Sequence, residues 1–63
     1  MNLTELHPAL RAAAQVAHAV AARQSRPAYV VLGPRAQVFA SFPGVWCMRV
    51  HPDGSIDPMC ITA

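Results

Sequence analysis

The chain reads as an α+β domain in which one N-terminal amphipathic, alanine-rich helix packs on a three- to four-stranded antiparallel β-meander. Three observations predict this. Apolar residues recur at helical spacing over the first third of the chain, and β-branched and aromatic runs punctuated by Gly and Pro fill the rest. The 63 residues leave room for a single core and a single domain, 1–63.

At about 100° per residue, Leu6, Leu10, Ala13, Ala14, Val16, Ala17, Val20 and Ala21 share one side of a helix expected over about 4–25. His7, Arg11, Gln15, His18 and Ala22 fall opposite, and His18 reads as a solvated side chain. Alanine has the best helix propensity and lets the axis lie close to whatever covers it. Pro8 suits a first turn, where the N–H groups have no intrahelical partner. Pro27 disfavours helix at Arg26, which ends the element near Ser25.

Four strands are expected beyond it, at about 28–33, 36–42, 45–51 and 55–61. "AYVVLG" is a continuous β-branched and aromatic run. "AQVFASF" alternates, with Val38, Ala40 and Phe42 on one side and Gln37, Phe39 and Ser41 on the other. Pro43-Gly44 signals a turn into "VWCMRV", and "HPDG" a second turn into the last strand.

The segment "CMRVHPDGSIDPMC" holds both cysteines, and its register decides whether they can meet. A two-residue turn at Asp53-Gly54 would set Cys47 opposite Cys60. A type I turn over His51 to Gly54, with Pro52 second and Gly54 left-handed in a bulge, sets Arg49 opposite Asp57 and sends the thiols to opposite faces. The second register is preferred because it pairs opposite charges and gives Pro52 and Gly54 the backbone they favour. It also puts Trp46, Met48, Val50, Ile56, Pro58 and Cys60 on one face. No disulfide and no metal site are then expected: Cys47 and His51 lie about 13 Å apart along the strand.

Composition narrows the function. Five arginines, no lysine and three acids give a formal charge of +2 without a basic run. No stretch is long and apolar enough to span a bilayer, and no charged start precedes an apolar run, so a cytoplasmic, non-membrane protein is expected. Neither a glycine-rich phosphate loop nor a nucleophile–base pair is present, so neither an enzyme nor a cofactor is expected.

Hydrophobic residues make up 54% of the chain and charged residues 13%, and one helix cannot cover both faces of a sheet. The uncovered face would show Phe39, Val45, Cys47, Met59 and Ile61 around Arg49 and Asp57, an apolar patch of the kind that marks an interface. The expected function is a small protein-binding regulator or steric inhibitor of a larger machine, of anti-CRISPR or antitoxin type and bacterial or phage origin. Homodimerisation is a further expectation. The alternative is nucleic-acid binding through Arg11, Arg23, Arg26 and Arg35.

Overall fold

The computed structural model describes residues 8–58. Helix α1 spans Pro8–Gln24, and four strands follow: β1 (Ala28–Leu32), β2 (Ala36–Phe39), β3 (Met48–Val50) and β4 (Ile56–Pro58). They form one antiparallel sheet with α1 packed on one face, the expected α+β arrangement.

Helix α1 buries Ala13, Ala14, Ala17 and Ala21, with Leu10 and Val20 partly buried beside them. Val16, expected on the buried side, is 54% exposed. It lies about 100° round the helix from Ala17, at the edge of the covered arc. The sheet contributes Ala28, Val30, Met48, Val50 and Ile56 to the core, and its largest fully buried side chains are only Val30 and Val50. The core is thin because alanine meets valine across it. A larger residue on the helix would have nowhere to go.

The helix ends through backbone geometry. Ser25 takes a left-handed φ of 56°, and the Arg26 N–H donates to the Ala21 carbonyl at 3.3 Å. This six-to-one bond is the signature of a Schellman cap, with Ser25 where glycine is usual. Pro27 follows, where it cannot extend the helix. The Gln24 amide then ties the cap to the sheet, its Nε2 donating to the carbonyls of Ala40 at 2.6 Å and Pro27 at 3.1 Å.

The strand order is β2-β1-β3-β4, which corrects the expected meander. β1 lies between β2 and β3, so residues 40–47 do not make a hairpin at Pro43-Gly44. The second strand ends at Phe39 and the third begins at Met48, shorter than the expected 36–42 and 45–51. β2 ends level with the start of β1, where Phe39 faces Tyr29, and β3 begins opposite Val30 on the other side. The connecting segment therefore crosses the sheet face away from α1. Phe42 and Trp46 both rest against Tyr29, with ring centroids 5.7 and 5.8 Å away.

The last hairpin has the preferred register: Met48 faces Pro58, Arg49 faces Asp57 and Val50 faces Ile56. The Gly54 N–H donates to the His51 carbonyl at 2.9 Å, and Gly54 has a φ of 94°. Met59, Cys60 and Ile61, and the expected start of the helix before Pro8, lie outside the described residues. His18 is exposed, as expected, and makes one bond that its place on the helix does not announce. Its Nε2 donates to the Pro52 carbonyl at 3.1 Å, and its ring lies 3.5 Å from where a Cβ on Gly54 would stand.

Two outcomes are expected in chemical denaturation. Ala17→Leu overfills the fully covered helix–sheet contact and lowers stability by about 1–3 kcal/mol. The two left-handed positions respond in opposite senses, Ser25→Gly raising stability by about 0.5–1 kcal/mol and Gly54→Ala lowering it by about 1–2 kcal/mol.

Candidate functional site

The outer sheet face is organised by one irregularity. Met48 faces Val30 in the β1–β3 register, yet the Cys47 N–H also donates to the Val30 carbonyl, at 2.9 Å. Two residues of one strand against one of the other is a β-bulge, which breaks the alternation of side chains and re-aims them. Cys47 turns inward and packs against the core, which corrects its expected place on the outer face. Trp46 turns outward, which corrects its expected place beside Met48 and Val50. Burial raises the Cys47 thiol above its ordinary value, which favours the protonated form at neutral pH.

The outer face carries a row across all four strands, in which Phe39 faces Tyr29, Tyr29 faces Arg49 and Arg49 faces Asp57. Tyr29 is half-buried at its centre. The Phe42 ring meets it nearly edge-on, at 74°, and the Trp46 ring is tilted at 57°. The Arg49 guanidinium lies over the Trp46 ring, 5.2 Å from its centroid. All four aromatic residues of the chain thus lie on the side away from the helix, and none enters the core. Among the large apolar side chains here, Phe42 is 65% exposed, Val45 68% and Phe39 38%.

A polar cluster borders the aromatic one. Asp57 Oδ2 accepts from Arg49 Nη2 at 2.9 Å and Nε at 3.2 Å, and from His51 Nε2 at 2.7 Å. A carboxylate can only accept, so His51 carries a proton on Nε2. The hydrogen bonds from His51 and then Arg49 hold the Asp57 carboxyl below its usual range. Asp53, in the adjoining turn, is also lowered, by the N–H and hydroxyl of Ser55 at 2.9 and 2.7 Å. Arg49 is raised, chiefly by its hydrogen bond to Asp57. The pair makes this part of the face close to neutral and fixes the guanidinium over Trp46.

Of the expected interface residues, the structure brings Phe39, Arg49 and Asp57 together on the outer face and places Val45 on the crossing segment. It turns Cys47 away, and Met59 and Ile61 lie outside the described residues. His51 lies on the face that alternation from Arg49 assigns it, bonded to Asp57, and Tyr29, Phe42 and Trp46 join that face unforeseen. Their only signal was the aromatic content of 28–46, which does not reveal a bulge or a crossover.

The alternative set of arginines does not converge. Arg26 and Arg35 flank opposite ends of β1, about 17 Å of strand. Arg11 and Arg23 stand about 18 Å apart along α1. Arg26 lines a shallow hollow with Pro27, Tyr29, Ala40, Ser41 and Phe42. Among the described residues, no three His, Cys, Asp or Glu side chains gather as metal ligands, and no helix is long and apolar enough to cross a membrane. No protein-family model, curated protein or solved structure matches the chain.

The depressed carboxyls determine a pH dependence. With folded values below the ordinary 3.8, the unfolded chain binds more protons across that window, so stability rises with pH. Urea titrations should show the carboxylate contribution complete above about pH 4–5 and lost as pH falls through the depressed folded values. Asp57→Asn should flatten part of that slope.

Proposed function

We propose that this chain is a non-catalytic protein-binding module whose docking surface is the outer sheet face together with the crossing segment 40–47. The observation that carries the reading is the sorting of side chains. The core is built of alanine, valine, methionine and isoleucine, while every aromatic residue sits outside it with Arg49. Trp, Tyr and Arg are the residues that dominate binding energy at protein interfaces, and they do so from packed, pre-ordered positions. Here Trp46 and Arg49 order each other, and Phe42 and Val45 stand proud of the cluster, where a partner could cover them.

Binding there would act by occlusion, since the surface offers shape and apolar area without reactive groups. A steric regulator of a larger protein machine works in this way, and anti-CRISPR inhibitors and antitoxins are the classes proposed for it. Nucleic-acid binding has less support. The rings around Tyr29 are tilted or edge-on, which suits a packed cluster better than a platform of parallel faces for bases. Arg49 is already matched by Asp57.

The test is affinity capture from the host with the native chain and with Phe42→Asp plus Val45→Asp. Both positions are more than half exposed, so the circular dichroism spectrum should be unchanged. A captured protein should be lost with the double variant, at a cost of about 2 kcal/mol or more, roughly 30-fold in affinity. Capture that survives the double variant, or nucleic acid whose binding weakens steeply with salt and depends on Arg26, would contradict the reading.

A further inference from the structure

We propose that β2 pairs with β2 of a second copy, antiparallel about a two-fold axis at Gln37, to make one continuous eight-stranded sheet. The inference begins from the two sheet edges, β2 and β4, neither of which pairs with a further strand among the described residues. The Gly33 N–H donates to the Arg35 carbonyl, which lies on the same register as Val31 facing Gln37 and Tyr29 facing Phe39. Backbone bonds alternate along an antiparallel pair, so Gln37 and Phe39 bond to β1, while Ala36 and Val38 turn their N–H and C=O groups outward. Val30 agrees with this, because its carbonyl points to β3 and the residue it faces in β2 is Val38.

The edge at β4 is blunted and the edge at β2 is not. On β4, the His51 N–H donation to the Ser55 carbonyl sets the alternation, leaving Ile56 and Pro58 facing outward. Proline has no N–H, so that edge offers a single donor within the strand. β2 is Ala36, Gln37, Val38 and Phe39, without charge or proline, the devices that normally keep an edge from pairing. Its outward groups are two donors and two acceptors, with the next outward carbonyl, that of Ala40, already bonded by Gln24.

The occupant follows from the strand's complementarity to itself. With the axis at Gln37, Ala36 faces the partner's Val38 and Val38 the partner's Ala36, which makes two bonded pairs and four backbone hydrogen bonds. On the outer face, Gln37 meets the partner's Gln37, amide to amide, and Arg35 stands opposite the partner's Phe39, a cation beside a ring. No like charges face each other. An axis at Val38 would make only one such pair and leave Arg35 without a ring. Because the axis is perpendicular to the sheet, both aromatic faces point the same way and both helices lie on the other side.

The pairing is tested on the full chain by sedimentation equilibrium from micromolar to millimolar concentration. A dimer is expected, and Gln37→Lys, which sets two cations together on the axis at an exposed position, should shift it to the monomer mass with the circular dichroism spectrum unchanged. Gln37→Cys should cross-link on oxidation, since facing residues of a non-bonded pair have Cα atoms about 4.5 Å apart and disulfides span about 4.4–6.8 Å. Arg35→Cys should not, its two copies lying about 13 Å apart. A monomer throughout, a dimer indifferent to Gln37→Lys, or no cross-link mapped to position 37 would overturn the proposal. Phe42→Asp should leave the dimer intact, so failure here is separate from failure of the outer-face reading.

Discussion

The carbonyl of Val30 receives the N–H of Cys47 although Met48 is the residue that faces it, and the character of both sheet faces follows from that doubling. Without the extra residue, strict alternation would put Trp46 into the contact with α1 and Cys47 among the aromatics. The contact with α1 is too thin for an indole, because the helix presents alanines there. The bulge removes the conflict. It hands a small, weakly polar thiol to the core and releases the large ring to the face where Tyr29 and Arg49 receive it.

The thin core has a second consequence. Alanine brings the helix close to the sheet, so the helix can also be fastened at its polar flanks. Gln24 donates to the carbonyl of Ala40 beyond the end of β2, and His18 donates to that of Pro52 in the β3–β4 turn. Each side chain serves a backbone oxygen that no strand partner takes. The crossing segment 40–47 does for the other face a smaller version of what α1 does for the first, covering Tyr29 with Phe42 and Trp46 while leaving its own apolar side outward. Layering from helix to sheet to loop explains how so short a chain orders two apolar surfaces and buries chiefly the one under α1, where Leu32 at the strand end still stands 56% exposed.

Much of this was legible because it is local. The spacing of Leu10, Ala13, Ala14, Ala17 and Ala21 marks the helix, Pro27 marks its end, and the chemistry of Pro52 and Gly54 selects the register that joins Arg49 to Asp57. What was not legible is non-local. Pro43-Gly44 signals a change of direction but not whether the chain returns beside β2 or passes over β1. The bulge shifts parity by one residue and moves Trp46 and Cys47 to faces opposite to those that alternation assigns. The bond from exposed His18 to a backbone carbonyl 34 residues away has no sequence signature either. The candidate site was therefore half visible: Phe39, Arg49 and Asp57 by alternation and register, but not Tyr29, Phe42 and Trp46, which depend on the crossover.

The sorting of Trp46 outward by the bulge is the claim on which the binding surface stands, and nuclear Overhauser contacts from its indole protons test it most directly. The bulged strand predicts contacts to the Tyr29 ring and the Arg49 side chain, with the Arg49 methylene protons shifted upfield by the ring above which they lie. Contacts from the indole to Ala17 or Val50 instead, with the Arg49 protons at ordinary shifts, would place Trp46 in the core and contradict it.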